Sequence, residues 1–374
     1  MKKNLLFILL LALNFAGAQE LALVKKDGKF GYITKTGTFA VQPKYKVAKN
    51  FSDGLAAFEE GGKWGFINPK GDVVIPATFD DAKYFDSGIC VVSKDKKWFY
   101  IDKKGDAIKM PTTDKVFDFE DGLAYIKQGE KIGMINAKMA TVIEPKYDVI
   151  KSFNGNYTRV KNNDRWGIID KSGKVIVDPI YDDIGDYSKG VVWAKNGTAF
   201  GLVIENKFKA IDGAEKIWDF EGQTLTYAKK NGKIGFIDTK GNWAIEPKFD
   251  KAKAFNKGLA PVMIGKKWGY VNAKGDIAIQ PTYNDAEVFS NDGLAPVKEK
   301  HWGFINEGGK MVIPTQYDIT AGGFGGLVAL FREDEKGFKD GVARVKNEKK
   351  WGFLKTDGTV LGNQWFDQAE PFKK

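Results

Sequence analysis

The sequence predicts an all-β array of tandem repeats, and three observations carry that reading. The stretch "KWGFINPKGDVVIP" (Lys63 to Pro76) returns as "RWGIIDKSGKVIVDP", "KWGYVNAKGDIAIQP" and "HWGFINEGGKMVIP". The residue after the Trp-like position falls at Gly31, Gly65, Phe99, Gly133, Gly167, Gly201, Gly235, Gly269 and Gly303, each 34 residues beyond the last. Short apolar runs between turn formers recur throughout, and helical periodicity is sustained nowhere.

The first element is a leader. Lys2 and Lys3 precede the apolar run Leu5 to Ala16, and small residues end at Ala18. A charged n-region, a short h-region and a small-residue cleavage site read as a cleaved signal peptide over residues 1–18. The run is too short for a comfortable transmembrane span, and no later stretch approaches membrane length. The expected location is therefore exported: periplasmic, cell-surface or secreted.

From residue 19 to residue 374 about ten copies tile the chain. Runs such as "GLAAF" and "GLAPV" read as a first strand, and "KWGFIN" as a second. "DVVIP" and "KVIVDP" give a third, ended by a proline that cannot donate to a ladder. Turns such as "NPKGD", "DKSGK" and "DTKGN" join the second to the third. Their Asn or Asp can accept from its own backbone, and Gly supplies positive φ. "YDDAKYF" and "YDDIGDY" leave room for one 3₁₀ or irregular turn. A lone unit of 34 residues cannot bury a core, so the units must stack. An open curved solenoid of three-stranded units is the first expectation, and a closed propeller-like ring the alternative. The Trp-Gly pair is expected to be a packing joint, with an indole covering the bare backbone of a glycine. Phe30, Ile132, Phe200 and Ile234 replace the Trp with other apolar residues, as such a joint requires.

The rhythm breaks once. Gly352 follows Gly303 by 49 residues, which places an insertion at 319–337, "ITAGGFGGLVALFREDEKG". Insertions in repeat arrays map to loops on one face, often the binding face. Phe324, Leu327 and Phe331 are accordingly the candidate binding residues.

The pairs at Trp64, Trp166, Trp268, Trp302 and Trp351, the K-G turn and the I-x-P-x-Y/F that follows give the chain a resemblance to the bacterial WG (KWG) repeat family. It extends over the whole chain after the leader. Phe99 at the glycine position, Met139 at the turn glycine and "AIDGAE" without its proline depart from it. The resemblance implies a β-rich array, often exported, with a binding role.

Catalytic constellations are scarce. His301 is the only histidine and stands where other copies hold Lys63, Arg165, Lys267 and Lys350. Paired acids such as Asp80/Asp81 and Asp182/Asp183 could serve glycoside hydrolysis. Yet Asp148, Asp250 and Asp318 repeat the motif, and a group repeated along an array is a turn or cap. The turn acids lack calcium-loop spacing. No enzyme activity, metal or cofactor is expected. Cys90 stands alone, where other copies place Ala56, Ala124, Ala260 and Ala343, so a small buried role fits it. The formal net charge is +10, but only Arg159, Arg165, Arg332 and Arg344 are arginines. Base readers favour Arg, so no nucleic-acid partner is expected. Spread lysines suit solubility and edge protection, or a weak attraction to anionic surface polymers. The leading function is a non-enzymatic scaffold that presents its surface to an envelope or extracellular protein. A carbohydrate or peptidoglycan binder using Trp193, Trp218, Trp243 and Trp365 is the alternative, and an enzyme of unrecognised type the last.

Overall fold

The computed structural model describes residues 19–319 and 336–374. The second copy shows the unit: strands Ala56–Glu60, Lys63–Ile67 and Val73–Phe79 pair antiparallel in chain order. The turn between the last two forms as its chemistry demands. Asn68 Oδ1 accepts from the amides of Lys70 at 2.9 Å and Asp72 at 3.1 Å, and Gly71 takes φ +85°. Ten such sheets follow one another, eight of four strands and two of three.

The fourth strand departs from the expectation. Where the sequence suggests an irregular turn, Asp81–Ala82 extends and pairs with Ile89–Lys94 of the following copy, Ala82 opposite Val92. Seven repeats lend a two-residue strand to the sheet that follows, and two more make a single bridge there, so repeat and sheet are offset by one strand. At the chain's end no copy follows. There Gln368–Ala369 pairs with Leu21–Lys26, Ala369 opposite Val24. Lys373 and Leu21 then exchange backbone hydrogen bonds of 2.9 and 2.8 Å.

The array is therefore a closed ten-bladed β-propeller, and the open solenoid is corrected. The first sheet lacks a predecessor and the last short strand lacks a successor; joining them removes both unpaired edges.

The core lies between blades. Leu55, Phe66, Ile75 and Phe79 of the second blade meet Ala82, Phe85, Cys90, Val92 and Ile101 of the third. The first long strand is buried on both faces, as Ile89, Cys90, Val91 and Val92 illustrate. Burial pushes the Cys90 thiol up to about 12, which suits the small apolar role. Each fully buried aliphatic side chain stabilises by roughly 1.5–3 kcal/mol, so most of the fold's stability resides at these junctions.

The Trp-Gly pair has a different cause from the one expected. Trp64 stands opposite Phe79 and Phe66 opposite Ile75, so the third strand carries a bulge between them. That bulge passes directly over the glycine. A Cβ on Gly65 would lie 2.6 Å from the Ile75 carbonyl oxygen and 2.7 Å from the Ala77 nitrogen. The third strand's backbone, not an indole, covers the glycine. In copy three the third strand is only Ala107–Ile108, and there Phe99 replaces glycine. Copy six shows that cover by the third strand, bulged or not, is what the glycine serves: Lys207–Ala210 pairs in regular register, and the Lys209 backbone still lies over Gly201. In the last copy a ring does cover the glycine, Trp365 over Gly352.

Candidate functional site

The repeated charges have a structural task. Lys63 pairs with Asp80, Lys131 with Asp148 at 2.6 Å, Arg165 with Asp182 and Lys233 with Asp250 at 2.5 Å. The second oxygen of each carboxylate accepts a backbone amide from the first hairpin turn of the next blade: Asp95, Asn163, Gly197 and Gly265 respectively. One acid thus clips its own second strand to the neighbouring blade. The clip closes the ring as well, because Asp367 pairs with Lys350 and accepts from Gly28 on the first blade. Hydrogen bonds from Lys63, Lys131 and Lys233 hold the Asp80, Asp148 and Asp250 carboxyls below the usual range.

His301 stands at the lysine position of the clip, with Nδ1 3.5 Å from Asp318 Oδ1. The paired acids do not converge. Asp80 faces Lys63, whereas Asp81 Oδ1 accepts from the Ala82 amide at 2.7 Å. Among the described residues no group of three or more His, Cys, Asp or Glu is gathered as a metal site. Phe324, Leu327 and Phe331 lie outside the described residues. The flanks of the insertion are seated: Ile319 is buried, Lys336 Nζ lies 2.7 Å from Glu287 Oε1, and Phe338 packs edge-on against Phe304.

Three of the four off-register tryptophans are structural. Trp193 Nε1 donates to Asp219 Oδ1 at 2.8 Å, Trp243 packs against the buried cluster that contains Ile211 and Phe220, and Trp365 stacks on Tyr317. Burial raises the Asp219 carboxyl despite that bond and one from the Asp186 amide.

Trp218 lines a groove of about 710 Å³ between blades seven and eight, with Tyr227, Ile234, Asp250, Lys253, Met263 and Trp268. The groove exists because two repeat positions changed together. Elsewhere a Trp at the second-strand position lies under a lysine, as Trp268 lies 5.0 Å from Lys253 Nζ and Trp64 4.7 Å from Lys49 Nζ. On blade seven Ile234 replaces the Trp and Trp218 replaces the lysine. Trp218 is held between the Lys216 ammonium at 4.5 Å and the stacked ring of Tyr227 at 4.7 Å. On the far wall Lys253 Nζ lies 2.7 Å from Glu287 and 3.3 Å from Asp285. An apolar floor with a rim of paired charges suits a side chain or short segment of a partner. No Ser, Thr, Cys or His lines it. The Ile at a Trp position was the sequence signal for this groove, and period-counting alone passes over it.

The family described as WG containing repeat matches residues 30–64, 64–98, 98–131, 132–166, 166–197, 234–268, 268–300 and 302–336. The chain belongs to the WG-repeat family. The gap in this WG-repeat match, 198–233, holds the copy whose third strand lacks the proline. No curated protein matches the chain. Among solved structures, a eukaryotic initiation factor is 9% identical over 95% of this chain and 98% of its own, with a TM-score of 0.47. Kluyveromyces lactis Hsv2 is 10% identical over 63% and 87%, with a TM-score of 0.30. PorZ of Porphyromonas gingivalis, described as a surface component of the type-IX secretion system, is 8% identical over 94% and 59%, with a TM-score of 0.25. Likenesses this distant carry no functional argument.

Proposed function

We propose that this WG-repeat propeller is an exported, non-enzymatic scaffold that holds a protein partner of the cell envelope. The observation that carries the reading is the use made of the repeated acids. Asp80, Asp148, Asp182 and Asp250 each clip two blades together, which leaves no repeated carboxylate pair for acid–base work. What varies around the ring is its surface. The groove at blades seven and eight and the insertion at 319–337 are two of the places where the chain departs from its own repeat. Export rests on the leader over residues 1–18.

The test is capture from intact envelopes with the protein lacking its leader as bait. A variant carrying Ile234→Trp and Trp218→Lys gives blade seven the Trp–lysine pair of its neighbours and refills the groove. A second variant lacks residues 320–334. Loss of a specific protein from either variant, with melting unchanged, supports the scaffold. Capture of no protein by the parent, or turnover of an envelope substrate by it, refutes the reading.

A further inference from the structure

Four departures from the repeat converge on the groove between blades seven and eight. Two are the exchanges at Ile234 and Trp218 described above. The third lies on the first hairpin of blade eight, where Met263 and Ile264 stand. On the other blades that keep this hairpin length both positions are polar, as Lys25–Lys26, Glu59–Glu60 and Lys229–Lys230 show. Met263 lines the groove, and Ile264 beside it is 41% exposed. Exposed apolar side chains at polar repeat positions mark an interaction surface, and methionine adapts its shape to what it meets.

The fourth departure concerns charge. On blades two, four, five, seven and ten the clip holds an acid, whereas on blade eight Asn284 stands there. Lys267 Nζ donates to Asn284 Oδ1 at 2.7 Å, and Asn284 Nδ2 donates to the Glu299 carbonyl at 2.7 Å. The clip keeps its contacts and loses its negative charge. The acids around the groove are held within the protein. Asp250 is shared by Lys233 and the Gly265 amide, and Asp285 by Lys253 and the Ala286 amide. Glu215 pairs with Lys229, Glu287 with Lys253 and Lys336, and the Glu299 carboxylate accepts from Thr315. Lys251 lines the groove, and Lys266 and Lys267 belong to the Met263 hairpin. Among the described residues none of these three forms an ion pair. The groove is thus apolar at its centre and positive at its rim.

We propose that this groove recognises an extended protein segment whose apolar side chains are flanked by carboxylates. The inference rests on the scaffold reading and adds the chemistry of the partner. The apolar side chains settle against Trp218, Ile234 and Met263, and the carboxylates meet Lys251, Lys266 and Lys267. Aromatic and methionine side chains are enriched where protein partners meet, and complementary charge at the rim fixes register. A sugar fits less well: Trp218 is already stacked on Tyr227 and lies under the Lys216 ammonium, so it offers no bare ring face.

The test is fluorescence anisotropy with the protein lacking its leader and a panel of dye-labelled hexapeptides. Each peptide carries a central apolar pair drawn from Leu, Phe, Met and Val, with two acids on either side. At least one should bind, and added salt should weaken it. Exchange of its acids for lysines should abolish binding, and exchange of its apolar pair for serines should weaken it about tenfold. Asn284→Asp restores the clip acid of the other blades, so melting should not change while the acidic peptide binds about fivefold more weakly. The double variant Ile234→Trp with Trp218→Lys refills the groove and should lose the peptide. Val73→Ala, an exposed apolar change on blade two, should bind like the parent. Binding of no peptide, equal binding of the lysine peptide, retention by the refilled variant, or parental affinity in Asn284→Asp each overturns the proposal. So does tighter binding of laurate than of the best peptide, which would make the groove a lipid site. If no peptide binds while the refilled variant still loses an envelope protein, the scaffold reading stands and the acidic chemistry falls.

Discussion

Gly269 lies under the bulge of its third strand, where a Cβ would meet the Pro281 nitrogen at 2.7 Å. Gly269→Ala should therefore cost about 1–3 kcal/mol, the usual penalty of overpacking, read as a lower denaturant midpoint. Trp268 is nearly buried, and Trp268→Ala should cost about 3–5 kcal/mol. If the glycine change is silent and only the tryptophan change matters, the bulge does not explain the pair. The clip carboxylates add a pH dependence. Asp80, Asp148 and Asp250 have depressed folded values, so their contribution is present above the unfolded carboxylate pKa of about 3.9 and is lost as pH falls through the folded values. Buried Asp118 and Asp219 are raised and act with the opposite sign, favouring the fold at low pH and losing that effect as pH rises through their folded values. The clips are more numerous, so the melting temperature should drop below about pH 4. Replacing Asp80, Asp148 and Asp250 together by Asn should flatten that drop; an unchanged acid limb counts against the clips. At this scale the sequence was legible in kind. The Asx turns and the buried Cys90 follow from residue chemistry, and the Asp repeat was recognisable as structural. What the glycine faces was not legible, because a register shift in a neighbouring strand leaves no mark on the glycine itself.

The three long strands of most units were readable from alternation and turn residues. The two-residue fourth strand was not, because a pair such as Asp81–Ala82 is too short to show any period. Missing it hid the offset between repeat and sheet, and with it the reason for closure. The element-scale departures were visible but unexplained. Phe99, the short strand Ala107–Ile108 and the exposed Trp98 prove to be one event, the loss of a bulged third strand from blade three. The insertion is another such departure. Asp318 already bridges to Lys346 across it, with backbone hydrogen bonds of 2.8 Å in both directions. Backbone pairing thus reaches both flanks of the insertion. Deleting residues 320–334 restores the 34-residue spacing between Gly303 and Gly352. The variant should keep the parent's far-ultraviolet circular dichroism and melt within a few degrees of it. A molten or insoluble product would show that the segment holds blades nine and ten together.

A closed ring and an open solenoid make opposite demands on the two ends of the repeat array. In the ring the ends touch: Asp367 and Glu370 amides donate to the Lys25 and Leu23 carbonyls, each at 2.8 Å. Side chains reinforce the seam, with Asn50 Nδ2 donating to the Pro371 carbonyl and Gln364 Nε2 to the Gly37 carbonyl, each at 2.9 Å. The last short strand thus occupies on blade one the place that Asp81–Ala82 occupies on blade three. A circular permutant follows from this geometry. A short Gly/Ser linker should join Lys374 to Gln19, and new ends should open within residues 320–335, the insertion that the 34-residue repeat does not need. Every sheet then keeps all its strands, and the seam between the last copy and blade one becomes a covalent connection. The permutant should fold, match the parent's scattering profile and melt at least as high, since joining the seam reduces the conformational freedom of the unfolded chain there. In a solenoid the same linker could not span the array, and the permutant would aggregate or scatter as an elongated particle. Truncation supplies the converse. Removing residues 366–374 strips the first blade of its fourth strand, so the profile should widen and melting should begin at the exposed edge of Leu21–Lys26. A truncated chain that melts like the parent would mean that the seam does not hold the ring closed.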